Sequence, residues 1–129
     1  MADITIEKPV FKPDITFKPK LQLFEENVTI VHCTYTFPAI YEPVAIRIWP
    51  TTYLVQEDGR QKKLLQGFNI AAFPEWKLVK SGHRFTLIFE GLDKTCKVFN
   101  LLEDIPEPGG FKFENIQRNT TDVYWLNID

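Results

Sequence analysis

Residues 28–37 read Val28-Thr29-Ile30-Val31-His32-Cys33-Thr34-Tyr35-Thr36-Phe37. β-Branched and aromatic residues dominate this stretch, and such side chains suit a pleated, half-buried surface. From Val31 onward the pattern alternates. Successive side chains of a strand point to opposite faces, so Val31, Cys33, Tyr35 and Phe37 share one face and His32, Thr34 and Thr36 the other. One apolar face backed by a polar one predicts a strand lying on a core.

Working outward, the same period recurs. In Arg84–Glu90, Phe85, Leu87 and Phe89 fall on one face. Val44–Trp49 is a third run, ended by Pro50, and Thr52–Gln56 a fourth. Glu57-Asp58-Gly59-Arg60 predicts a hairpin turn, because Asp-Gly tolerates positive φ. Lys62–Gln66 returns from it, and Gly91-Leu92-Asp93 makes another turn. Cys96–Leu102, Phe111–Gln117 and Asp122–Ile128 follow, the first two separated by Pro106-Glu107-Pro108-Gly109-Gly110. Strands recurring every 8 to 12 residues or so predict an all-β sandwich or barrel. The expected fold is a single antiparallel β-sandwich of seven to nine strands, immunoglobulin-like in broad layout. Helix periodicity finds no long window; short turns of helix fit only near Leu101–Glu103 or Pro74–Val79.

The chain of 129 residues has one domain's length and no Gly/Ser-rich linker. Its start is different in kind. Phe11-Lys12-Pro13 is echoed by Phe17-Lys18-Pro19, with Lys8-Pro9 before them. Proline removes a ladder donor, so residues 1–20 read as an extended arm or edge strand and residues 21–129 as the sandwich. At 44% hydrophobic and 25% charged residues the composition is that of a globular domain, which excludes a disordered or collagen-like chain. No apolar run reaches the roughly 18 residues of a spanning helix. The net charge of −2 supplies no basic field for nucleic acid. The segment beginning Met1-Ala2-Asp3 has neither a basic region nor an apolar one, so it is no signal peptide. A cytoplasmic location follows if Met1 is the native start, and an exported one if a leader has been removed. The sequons Asn27-Val28-Thr29 and Asn119-Thr120-Thr121 matter only on a eukaryotic secretory route.

Cys33 and Cys96 lie in apolar strands. They read as buried free thiols, with a disulfide as the alternative. Cys33, Trp49 and Cys96 fall in the order of an immunoglobulin domain's Cys, Trp and Cys, but Lys94 stands where such a domain carries its tyrosine. A different resemblance covers residues 21–128. Thr52-Tyr53-Leu54, Asp58-Gly59, Phe85–Leu92, Val98–Glu103 and Phe111–Ile116 occur in an order that resembles small β-sandwich domains common in Bacteroidota proteins. Those domains carry a strand like FxLxFexLP, then xFDhiE with h apolar, and a closing xxhxNI strand. Here Asp93 replaces the turn proline and Asn100 the Asp. The resemblance implies a sandwich of bacterial lineage and no assigned catalytic residue.

Chemistry-bearing residues form no strong motif. Ser81-Gly82-His83 sits in a turn and reads as loop polarity. His32 and Cys33 are strand neighbours on opposite faces and cannot pair as a dyad. Glu103, Asp104 and Glu107 could suggest paired carboxylates or a calcium loop, but no Asp-x-Asp-x-Asp-Gly register occurs. They read as a solvated acidic loop. No cofactor and no metal is expected. Aromatics, at 14%, are the enriched feature. Trp76 lies outside any clean strand, and Tyr124 and Trp125 face opposite ways, so one of that pair can be exposed. The candidate binding residues are therefore Trp76, Trp125, Tyr124 and Trp49. The expected function is a non-enzymatic interaction module that binds protein, or a second copy of itself, through a sheet edge or aromatic face. The alternative is a carbohydrate-binding module, which requires a row of coplanar exposed rings.

Overall fold

A computed structural model describes residues 27–129. The Lys-Pro arm of residues 1–20 lies outside the described residues. Nine strands form among the described residues, with one turn of 3-10 helix at Ala39–Tyr41 before the second. They are β1 (Val28–Tyr35), β2 (Val44–Ile46), β3 (Thr52–Gln56), β4 (Gln61–Phe68), β5 (Lys77–Val79), β6 (His83–Glu90), β7 (Val98–Glu103), β8 (Lys112–Gln117) and β9 (Val123–Ile128). The protein is all-β, and both expected helical turns are corrected. Lys77–Val79 is a strand because β2 supplies its backbone partners, and Leu101–Glu103 is the end of β7.

Seven strands form one sheet in the order β8-β7-β3-β4-β6-β1-β9, and β2 and β5 form a two-stranded ribbon. The expectation of a wholly antiparallel sheet is corrected at one edge. β9 runs parallel to β1, with Ile30 opposite Val123 and Tyr35 opposite Ile128. The chain reaches that edge through the connection after β8 at the far side of the sheet.

The sheet curls because β4 changes partners. Its start pairs with β3 (Val55 opposite Gln61) and its end with β6 (Phe68 opposite Thr86). Between them lies a register shift at Leu64/Gln66. An extra residue in one strand bends it and increases its twist. The two halves then face each other. β1 and β6 contribute Val31, Cys33, Phe85, Leu87 and Phe89, and β3 and β7 contribute Leu54, Phe99 and Leu101. Closure is visible where Phe99 of β7 meets Tyr124 of β9 edge to face, centroids 5.1 Å apart. The residues that alternate in the sequence are those that pack here.

The hairpin tip is a four-residue loop in which Gly59 takes φ +89°. Asp58 caps it by accepting the Arg60 backbone N–H at 3.0 Å. Cys33 and Cys96 are both buried and form no disulfide. Burial pushes the Cys33 thiol up to about 12, far from a reactive thiolate.

Candidate binding cleft

Three connections converge at one end of the curled sheet: the β2–β3, β4–β5 and β7–β8 segments. Hydrogen bonds stitch them together. Ile48 and Ala72 form a parallel bridge, with Ile48 N–H donating to Ala71 O and Phe73 N–H to Ile48 O, each at 2.8 Å. The Thr51 hydroxyl donates to Asp104 O at 2.6 Å, and Asp104 N–H returns to Thr51 O at 3.0 Å. The Thr52 hydroxyl holds Trp49 O at 2.6 Å. Connections tied in this way hold side chains in fixed positions.

Arg47 is the centre of this end. Ile48 is buried, so its neighbours Arg47 and Trp49 project together to the other side. The guanidinium lies 3.8 Å from the Trp76 ring centroid, 4.7 Å from Phe73 and 5.6 Å from Trp49. Trp49 and Phe73 stack on each other at 3.8 Å. Each well-placed cation–π contact contributes about 0.5–2 kcal/mol, more as water is removed. Arg47 Nη1 donates to Pro74 O at 3.2 Å, and Nη2 lies 3.6 Å from Glu107. Its Nε is buried with no hydrogen-bond partner among the described residues.

Glu103 corrects the expectation of a solvated acidic loop. It is the last residue of β7 and only 7% exposed. Phe99, Leu101 and Glu103 share the inward face, and the strand carries the carboxylate in with them. Its oxygens accept the Trp49 N–H at 3.3 Å and the Phe111 N–H at 3.4 Å, both long. Burial pushes its carboxyl above the usual range, against the pull of those two donors. Gly110 lets the β7–β8 segment return directly over it: a Cβ there would lie 2.5 Å from Glu103 O. The cleft left between these segments encloses about 490 Å³.

The four sequence-stated candidates separate. Trp49 and Trp76 meet at the Arg47 cleft, whereas Tyr124 is buried in the core and Trp125 is 73% exposed on the outer face of β9. Tyr124 is structural: its hydroxyl donates to Asp122 at 3.0 Å and accepts the Asn119 N–H at 3.1 Å. Trp125 lies beside His32, its register partner on β1, with centroids 5.4 Å apart. Phe68, Arg84 and Thr86 share that second, smaller hollow. Sequence reading missed Arg47 and Phe73 and misread Glu103. The two-residue spacing of Arg47 to Trp49 and of Leu101 to Glu103 was the available signal.

The other singled-out polar residues hold the framework. The Ser81 hydroxyl accepts the Phe37 N–H at 2.9 Å, and His83 Nε2 contacts Asn69 O at 2.7 Å. His32 Nδ1 contacts the Thr86 hydroxyl at 2.8 Å. Among the described residues no cluster of three His, Cys, Asp or Glu side chains is placed to hold a metal, and no helix is long and apolar enough to cross a membrane. The chain matches no family model, no curated protein and no solved structure.

Proposed function

We propose that the chain is a non-enzymatic protein-interaction module that docks through the β2–β5 ribbon, on an immunoglobulin-like sandwich of bacterial lineage. The placement of its exposed apolar side chains carries this reading. Ile40, Tyr41, Phe73, Trp76 and Leu78 all lie on the ribbon or in the segments leading into it. Ile40 is 86% exposed and Leu78 68%. Clustered exposed apolar residues mark interaction surfaces, whereas single ones carry no meaning. The ribbon strands pair only with each other among the described residues, which leaves outer edges for an added strand.

The glycan reading draws less support. Coplanar rings are what it needs, but the Arg47 guanidinium covers a face of Trp76 and Trp49 stacks on Phe73. Trp125 lines a different hollow.

The simplest partner is a second copy of the chain, meeting it ribbon to ribbon about a two-fold axis. Light scattering across a concentration series, in reductant, tests this. The wild-type mass rises toward a dimer, and Leu78→Glu or Tyr41→Glu returns it to a monomer. Those exposed substitutions shift stability by no more than about 0.5 kcal/mol. A wild type that stays monomeric throughout, together with no displayed strand-forming peptide that protects the β2 and β5 amides from exchange, overturns the reading.

A further inference from the structure

We propose that the cleft beside Arg47 binds a small organic cation: an ammonium group carried on an apolar body. This goes beyond the ribbon's role: Ile46 and Trp76 belong to both, but the cleft is a concavity with its own charges.

The floor is apolar. Tyr35, Ile46, Ile70, Phe85, Phe111 and Ile128 line it, drawn from β1, β2, β6, β9 and the connections after β4 and β7. Its volume of about 490 Å³ lies within the range of small-molecule sites. The charges around it are unequal. Glu103, Glu107 and Asp129 line the cleft against Arg47 as the one cation among the described lining residues. Arg47 is already engaged by the Pro74 carbonyl, Glu107 and three ring faces, and its side chain is 13% exposed. Only its Nε lacks a hydrogen-bond partner among the described residues, and that nitrogen is buried, so it presents no open donor to an anion in the cleft. Glu103 is in the opposite condition. A carboxylate has about four acceptor positions, and this one receives two long backbone N–H bonds. A buried carboxylate so weakly paired gains from any cation that reaches it.

A ligand ammonium meets that need. It places N–H donors against Glu103 while its hydrocarbon part covers the apolar floor, and the Phe111 and Tyr35 rings attract cations by their faces. A carboxylate ligand of the same shape would face three like charges. A neutral alcohol would fill the floor and leave the charge uncompensated.

Three probes with one aromatic body separate these cases: phenethylammonium, 2-phenylethanol and phenylacetate, each titrated into the whole chain and followed by backbone amide NMR. Phenethylammonium is expected to give saturable shifts at residues 47–49 and 103–111. The alcohol and the carboxylate should bind at least about tenfold more weakly, a difference of about 1.4 kcal/mol. Glu103→Gln should lower phenethylammonium affinity by about tenfold, with Trp125 and His32 resonances unmoved. Should Glu103→Gln not fold, Glu107→Gln serves, with an expected loss of two- to threefold (less than about 0.7 kcal/mol) because that side chain is more exposed. Equal affinity for the three probes, tighter phenylacetate, no saturable shift, or full affinity in the tested glutamine variant each overturns the proposal.

Discussion

The two ends of β3 solve the same electrostatic problem in opposite ways. At the Gln56 end, Asp93 accepts Lys62 Nζ and Gln56 Nε2 at 2.9 Å each and Arg60 Nη1 at 3.3 Å. Gln56 returns the favour by accepting the Asp93 backbone N–H at 2.8 Å. Arg118 seals the same end. It grips both Asp122 oxygens at 2.9 Å and donates to the carbonyls of Asp93 and Cys96. At the Thr52 end, by contrast, a buried carboxylate has two long donors and a buried guanidinium nitrogen has none among the described residues. Saturated charge clusters hold structure; a charge taken from water and left weakly paired is what a binding site needs. That contrast is why the cleft, and not the Asp93 cluster, is read as a site.

The largest effect is expected from the core against which β3 packs. Phe99 is 2% exposed and holds β9 through its contact with Tyr124. Phe99→Ala is expected to lower stability by about 3–5 kcal/mol in urea unfolding, the range for a buried aromatic truncated to Ala. Next comes the saturated end alone. Arg118→Ala removes both charged donors from Asp122, which keeps the Tyr124 hydroxyl, and one donor each from the Asp93 and Cys96 carbonyls; a loss of about 2–3 kcal/mol is expected, since hydrogen bonds to charged groups exceed neutral ones. Glu103→Gln at the open end should change stability by less than about 1 kcal/mol, because the donors it gives up are long and a buried charge goes with them. If the two substitutions prove equal, the contrast between the ends fails.

Acid titration sharpens the contrast with the smallest effect. Hydrogen bonds from Lys62 and Gln56 hold the Asp93 carboxyl at about 2. Its folded value is depressed below the ordinary carboxylate value of about 3.9, so its contribution is complete above that pH and lost as pH falls toward about 2. Glu103 has the opposite sign. Burial raises its folded value, so folding becomes less favourable as pH climbs through the ordinary glutamate value of about 4.3. Urea midpoints measured from about pH 6 to pH 2 should therefore fall less steeply in Asp93→Asn than in wild type. An unchanged slope would remove Asp93 from the account.

How much of this was legible depends on range. Alternation at Val31–Phe37 and Phe85–Phe89 announced both strands and their buried faces, since a period of two is a local property. The opposite facing of Tyr124 and Trp125 was legible for the same reason. The short β5 was not: three residues, Lys77–Val79, carry no period, and only pairing with Val44–Ile46 makes them a strand. Glu103 was misread because its acidic neighbours Asp104 and Glu107 suggested a solvated loop, although its spacing from Leu101 pointed inward.

By itself, then, the sequence determined every described strand but β5, their inward faces, the hairpin at Gly59 and the candidate aromatics, because side-chain alternation and turn chemistry act over a few residues. The tertiary structure alone decided that β9 lies parallel to β1, that β4 changes partners at its bulge, and that Trp49, Phe73 and Trp76 gather around Arg47. Those outcomes depend on which distant surfaces bury each other, and burial of apolar area is non-directional, so no local pattern encodes its partner.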